Sequence, residues 1–337
     1  MSPTQISAAI FNSIPKEYPI LNETIVIGST TIDLENVPLS GGTLVKAVYL
    51  SIDPYLRGRM REVSSQSYVD KFQLGKPIAN FGIGKVLRSE KNGVHPGDLF
   101  HIQDLSFQEY SVLAPEHPAR VIKEEPGIPL SAYIGVLGMP GMTAFYGLEL
   151  VGKPVKGETI FVSSGASAVG SLVVQLAKAK GLKVIASVGS DDKVDFLKSI
   201  SVDVPINYKK QNVADILAKE GPIDIYWDNA GGPTLEAALD ACSVCARVVV
   251  CGAISQYNTS EPYAIKLTLK GFFVIAGEQE YEGQLNNPIK FLDALVPLIQ
   301  SRKIKWSEQI YKGLESVGGG VVAVQTGSNT AKVVIEV

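Results

Sequence analysis

The stretch 159–190, TIFVSSGASAVGSLVVQLAKAKGLKVIASVGS, limits what this chain can fold into more than any other part of it. An apolar strand (159–163) runs into Gly165-Ala166-Ser167-Ala168-Val169-Gly170. Apolar residues at Val169, Leu172, Val173, Leu176 and Ala177 then recur at the spacing of one buried helix face, and a second strand follows over 183–188. Strand, turn, helix, strand is a parallel βαβ unit. Such a unit aims the helix N-terminus at the carboxyl edge of the sheet, where unpaired N–H groups and the helix dipole attract a pyrophosphate.

The turn itself is not a full G-x-G-x-x-G, because Ser167 stands where the middle glycine would fall. Taken alone it also fits an ordinary βα turn. Its context favours the phosphate site: it follows a strand, opens a helix and is flanked by small residues. Ser167 fits if its φ stays negative, and its hydroxyl can donate to a phosphate.

An NAD site usually carries an acid at the end of the second strand, to hold the ribose 2′-OH. Here that strand ends Ala186-Ser187-Val188-Gly189-Ser190. Asp191 and Asp192 come next and read as the first turn of a helix, where they favour its dipole. Lys193 and Tyr208 supply the charge and hydroxyl that a 2′-phosphate wants. A charge-assisted hydrogen bond of that kind is worth roughly 1.5–3 kcal/mol, enough for ~10–150-fold preference. The cofactor expected is NADP(H). A solvated Lys193 and a core Tyr208 are the plainer alternatives.

With 337 residues, 45% of them hydrophobic and 19% charged, the chain can bury two domain cores. A net charge of −3 gives no footprint for nucleic acid. No apolar run reaches membrane-spanning length, and no signal-peptide pattern opens the chain. A cytoplasmic location is expected. The three cysteines suit a reducing compartment. Cys242 and Cys245 form a C-x-x-C without a second pair, and Cys251 sits in an apolar strand, so packing explains them better than metal.

Short apolar runs separated by Gly and Pro make residues 1–129 a compact antiparallel β domain or barrel. Alternating βα units begin near Ser131, with a helix over 131–137, a loop over 138–143 and a helix from Ala144. Later strands are expected at 205–208, 224–229, 247–252 and 272–276, with helices at 193–199, 213–219, 234–241 and 288–301. A last strand, 332–337, returns to the β domain. The domains expected are 1–129 with 303–337, and 130–302. The fold class is α/β: a doubly wound parallel sheet of Rossmann type beside a β-rich substrate domain.

These motifs accumulate. SIDPYLR (51–57), GVLGMPGMTAFYGL (135–148), the 159–193 run, INYK (206–209), DNAGG (228–232), CGAISQYN (251–258) and GSN (327–329) together resemble the medium-chain dehydrogenase/reductase superfamily. The resemblance covers nearly the whole chain. It is to the zinc-independent branch of prostaglandin reductases (leukotriene B4 12-hydroxydehydrogenases) and NADP-dependent alkenal double-bond reductases. It implies a GroES-like β-barrel for the first domain. It implies that Ser167, Ala168, Val169 and Gly170 meet the pyrophosphate, and that Lys193 and Tyr208 hold the 2′-phosphate. Asn229, Cys251, Gly252, Ala253, Ile254, Ser255, Gln256 and Tyr257 would line the ribose and nicotinamide. Phe273, Val274 and Ile275 would meet the nicotinamide amide through their backbone, and Asn329 would close over the cofactor. Thr143, in a loop with Met139 and Met142, would border the cleft on the cofactor side. The chain departs from the branch at Ser167, and at Ala331 where G-x-N-x-G-K has its second glycine.

Zinc-dependent relatives carry a G-H-E motif and four clustered cysteines. This chain has neither, and Asn80-Phe81-Gly82-Ile83-Gly84 occupies roughly the region of the former. The resemblance therefore implies hydride addition to the C=C bond of an α,β-unsaturated aldehyde or ketone. Negative charge then grows on the carbonyl oxygen, where a hydrogen-bond donor is needed. Tyr257 is the first candidate, and Tyr55 a second residue that reaches substrate. A quinone reductase and a noncatalytic NADPH-binding protein are the alternatives. The resemblance also implies a monomer or a homodimer, and an exposed sheet edge expected near Phe272 offers a place for a partner to pair.

Overall fold

The computed structural model describes residues 3–62, 69–259 and 287–337. Phe273, Val274, Ile275, the strand expected at 272–276 and the sheet edge near Phe272 lie outside the described residues. The chain divides into two compact units, Met1–Ile134 with Glu308–Val337, and Gly135–Ser307.

Seven strands come first: β1 (Thr4–Phe11), β2 (Ile25–Ile32), β3 (Thr43–Ser51), β4 (Ala79–Ser89), β5 (Leu99–Ser106), β6 (Tyr110–Leu113) and β7 (Ala119–Val121), with a short helix α1 (Leu56–Arg59) after β3. The second unit follows as α2 (Met139–Tyr146), β8 (Thr159–Val162), α3 (Ala168–Ala179), β9 (Lys183–Val188), α4 (Asp191–Ser199), β10 (Val204–Asn207), α5 (Val213–Glu220), β11 (Ile223–Asp228), α6 (Gly232–Asp240), β12 (Cys242–Val250) and α7 (Pro288–Gln300). The chain then re-enters the first unit through β13 (Glu308–Lys312), α8 (Val317–Thr326) and β14 (Lys332–Glu336).

In the first unit the main sheet runs β13-β14-β3-β4-β5-β7, with β6 also on β3. Its pairs are antiparallel except β13 with β14. One face buries Phe11, Leu50, Ile52, Phe107, Val333 and Ile335 in a common core. Among the described residues of the second unit, five parallel strands lie in the order β10-β9-β8-β11-β12. Numbered within the unit this is 3-2-1-4-5, the doubly wound order, and its direction reverses between β8 and β11. Phe161, Ile185, Ile206, Tyr226 and Leu235 fill the core on one side, with the Phe161 and Tyr226 rings stacked at 5.1 Å. Strands buried on both faces read as the continuous apolar runs seen in the sequence.

Several expected elements shift. Residues 131–137 form no α-helix; a 3₁₀ turn, Leu130–Ile134, stands there instead. The loop expected at 138–143 is the start of α2, which begins at Met139 rather than Ala144. Pro140 sits in the helix's first turn, where its missing N–H costs nothing. β12 begins at Cys242, five residues before the strand expected from Arg247, so the C-x-x-C lies along a strand. The helices expected from the sequence do not include 317–326, where α8 forms although Gly318, Gly319 and Gly320 cost about 1 kcal/mol each in a helix. Burial of Val317, Val321 and Val324 in the core overrides that propensity.

Candidate active site

β8 and β11 end side by side at the reversal of strand order, where ligands of open α/β sheets bind. Past β8, Gly165 donates its N–H to Ser187 O at 3.0 Å, and the chain turns into α3 with Ser167 as N-cap. Ser167 has φ −70° and ψ 166°, so it needs no glycine's freedom. Its Oγ accepts the Gly170 N–H at 3.0 Å, which leaves the hydroxyl proton for a ligand. Gly170 cannot be larger: a β-carbon there would lie 2.4 Å from Ser164 O. The Ala168 and Val169 amides open the helix at its positive end. A tight backbone turn with amides and one hydroxyl at a helix start fits a pyrophosphate.

The end of β9 carries the second feature. The Tyr208 N–H donates to Val188 O at 3.0 Å, and the tyrosine ring lies across Gly189. A β-carbon on Gly189 would be 2.7 Å from the Tyr208 hydroxyl. Tyr208 is 52% exposed, so it is not a core tyrosine. Lys193, in the first turn of α4, is half-buried. Burial holds its ammonium below the usual lysine range and neighbouring Lys209 pushes the same way, while Asp192 opposes both. Lys193 is thus not simply a solvated surface charge. Asp191 and Asp192 do occupy the first turn of α4.

At β11, Asn229 ties the two strand ends together. Its backbone N–H donates to Ser163 Oγ at 2.9 Å, its Nδ2 donates to Ser163 O at 2.7 Å, and its Oδ1 accepts from Trp227 Nε1 at 3.2 Å. One N–H and one lone pair of the Asn229 amide remain for a ligand. Asp228 beside it is 1% exposed. Its Oδ1 accepts from the Tyr226 hydroxyl at 2.6 Å and from the amides of Ala230 and Gly231 at 2.9 and 2.8 Å. Sequence reasoning missed Asp228 as the organiser of this turn, although the DNAGG string held the signal.

The segment 251–257 is seated on that same turn. Cys251 and Gly252 donate to Asp228 O, Ile254 to Asn229 O and Ser255 to Ala230 O, over 2.9 to 3.1 Å. The Ser255 hydroxyl adds a bond to Ala230 O at 2.6 Å, and Gln256 Nε2 donates back to it at 3.1 Å. Tyr257 folds over this loop, its oxygen accepting the Ala253 N–H at 3.2 Å. Burial pushes the Cys251 thiol up to about 12, so it is a neutral packing group. Thr143 lies on α2, not in a loop, and donates its hydroxyl to Met139 O at 2.8 Å.

Tyr55 and Asn329 belong to the other unit. The Tyr55 hydroxyl donates to Asn80 Oδ1. Asn80 Nδ2 in turn donates to Asp53 Oδ2 at 2.9 Å and Ser51 O at 2.7 Å, and Lys332 Nζ reaches Asp53 Oδ1 at 2.7 Å. Asn80, Asp53 and Lys332 are buried, and none was singled out from the sequence as a functional residue. Asn329 Nδ2 donates to Ala331 O at 2.8 Å, and Ala331 is not among the residues with positive φ, so alanine is unstrained there. Among the described residues no group of three His, Cys, Asp or Glu is placed to hold a metal ion, and no helix is long and apolar enough to cross a membrane.

Two family models match the chain: one described as an N-terminal domain of oxidoreductase over residues 30–121, and one described as a zinc-binding dehydrogenase over 168–287. The chain is 39% identical to the 2-alkenal reductase (NADP(+)-dependent) of Nicotiana tabacum, covering 92% of each chain. It is 36% identical to the (+)-pulegone reductase of Mentha piperita, covering 93% of each. The crystal structure of CurA from Vibrio vulnificus in complex with NADPH superposes with a TM-score of 0.86 at 28% identity, over 98% of both chains. With matches of this length over both units, the chain belongs to the medium-chain dehydrogenase/reductase superfamily, in its branch of double-bond reductases.

Proposed function

We propose that the protein is an NADPH-dependent reductase of the C=C bond of α,β-unsaturated aldehydes and ketones. The observation that carries this reading is the seat of 251–257 on the end of β11, at the reversal of strand order, in a chain whose relatives include alkenal and pulegone reductases. Bound NADPH supplies the hydride that adds to the β-carbon. The protein's own part is to bind, orient and take up developing charge.

The Ala168 and Val169 amides and the Ser167 hydroxyl hold the pyrophosphate at the start of α3, with Gly170 keeping the turn tight. Lys193 and Tyr208 hold the 2′-phosphate. Asn229 and residues Cys251 to Tyr257 line the ribose and nicotinamide, with Thr143 on α2 beside them. Phe273, Val274, Ile275 and Asn329 complete the cofactor set. Tyr257 donates a hydrogen bond, directly or through the nicotinamide ribose hydroxyl, to the carbonyl oxygen on which enolate charge grows. The Ala253 N–H on its oxygen polarises the phenol as a donor. Tyr55 contacts the substrate. A proton from solvent, or through the same relay, then goes to the α-carbon. Three free cysteines, Cys242, Cys245 and Cys251, suit a reducing cytoplasmic compartment.

The test is NADPH consumption by the pure protein against a panel of enals, enones and quinones, with loss of the C=C bond confirmed in the product. Turnover of enals and enones is expected. Turnover of quinones alone would assign a quinone reductase, and tight NADPH binding with no turnover would make the protein a binding protein.

A further inference from the structure

The loop after β10 reads Asn207-Tyr208-Lys209-Lys210-Gln211, and the acid at the start of α4 is bound to it. Asp191 stands three residues past the end of β9, close to where an NAD site carries its ribose-binding carboxylate. Both of its oxygens are committed. Oδ1 accepts from Asn207 Nδ2 at 2.7 Å, and Oδ2 meets Lys210 Nζ at 2.5 Å. Asn207 is buried, and its side-chain amide is oriented by the Lys209 N–H, which Oδ1 accepts at 3.1 Å, while its backbone N–H donates to Gln211 Oε1 at 3.0 Å and anchors the loop. The amide's NH₂ end therefore faces Asp191. The second acid, Asp192, is drawn to the Ser190 side chain and the amides of its own turn.

We propose that Lys210, backed by Asn207, sets coenzyme selectivity by masking Asp191. This rests on the NADPH reading above. A carboxylate that accepts a ribose 2′-OH favours NADH, and the same carboxylate repels a phosphate carrying nearly two negative charges. The chain keeps an acid at this position and neutralises it from the loop that also carries Tyr208. Asn207 holds the carboxylate still and Lys210 cancels its charge, so that the acid does not repel the phosphate assigned above to Tyr208 and Lys193. Lys210 is thus a positioning residue acting through Asp191. The loop carries Asn207, Tyr208 and Lys210, and the Asn207 and Lys210 contacts with Asp191 tie it to α4 although the two are separated in sequence.

The test compares Lys210→Ala with the double variant Lys210→Ala/Asp191→Asn. Affinities for NADPH, NADH and 2′,5′-ADP are measured by calorimetry at low salt, and thermal melts check folding. Lys210→Ala should weaken NADPH and 2′,5′-ADP by roughly 3- to 5-fold, the scale of one exposed charge pair, and leave NADH as tight or tighter. The effect should shrink as salt is raised. Adding Asp191→Asn should bring NADPH back to within about twofold of the parent. Equal weakening of both coenzymes would make the pair merely structural and overturn the proposal. So would a double variant that stays weak, since Lys210 would then touch the phosphate itself. A parent protein that binds no NADPH would sink the functional reading. A parent that prefers NADPH, with a selectivity ratio unmoved in Lys210→Ala, would sink only the masking role.

Discussion

Alanine at position 189 would put a β-carbon 2.7 Å from the Tyr208 hydroxyl, so only glycine lets that ring lie across the end of β9. Gly189→Ala should swing the phenol away and raise the KM for NADPH by about tenfold while leaving that for NADH nearly unchanged. Steady-state kinetics with both coenzymes would show it. Lys193→Ala should act in the same direction and more strongly, by ~10–150-fold, because a charged partner is lost. An equal effect on both coenzymes would remove Lys193 from the phosphate site. The two candidate tyrosines differ in where their protons go. That of Tyr55 is committed to Asn80, whose NH₂ group is pinned by Asp53 and Ser51. Tyr55 therefore presents an oxygen that accepts, whereas the Tyr257 oxygen accepts an N–H, which polarises its O–H as a donor. Tyr257→Phe should lower kcat by about 10²-fold, the scale of a lost oxyanion donor, with little change in NADPH affinity. Unchanged turnover would take Tyr257 out of the mechanism.

β5 carries a histidine that the chain cannot easily charge. His101 is 5% exposed, packs its ring 5.6 Å from that of Phe81 and pairs across strands with Arg120. Burial, with Arg120 adding to it, depresses its pKa to about 3. The unfolded chain takes up that proton near pH 6.5 and the folded sheet does not, so stability is present in full above pH 6.5 and is lost as pH falls toward 3. The slope from this one group is at most about 1.4 kcal/mol per pH unit. His101→Phe should keep the ring contact and flatten the fall between pH 7 and 5 in denaturant unfolding. A parallel fall in parent and variant would assign the loss to other groups. The element scale is also where sequence and structure part. β8, α3 and β9 were legible because period, small turn residues and length agree within thirty or so residues. α2 was not, since Pro140 and Gly141 read as loop residues. Yet one is a first-turn proline, and the other is a glycine whose β-carbon would lie 1.9 Å from Val136 O. The Lys332–Asp53 pair spans 279 residues of sequence, and no local pattern announces a partner that far away.

At the scale of the whole chain, the residues proposed to hold the cofactor between Thr143 and Tyr257 fall in one unit, while Tyr55 and Asn329 fall in the other. Coenzyme binding is therefore expected to stabilise Gly135–Ser307 directly, and a ligand that binds only the folded state stabilises it by mass action. At a concentration one hundred times its Kd, NADPH should add about 2.7 kcal/mol. With an unfolding entropy near 2.1 cal/mol/K per residue, that raises the melting midpoint by ~4 °C if the chain unfolds as a whole, and by about twice as much if Gly135–Ser307 melts alone. Differential scanning calorimetry would separate these cases, since only the second splits the trace into a peak that moves with NADPH and one that does not. NADH at the same concentration should shift the midpoint less, because a tenfold weaker affinity removes about 1.4 kcal/mol of the gain. Equal shifts with the two coenzymes would mean that Lys193 and Tyr208, however well placed at the end of β9, do not read the 2′-phosphate.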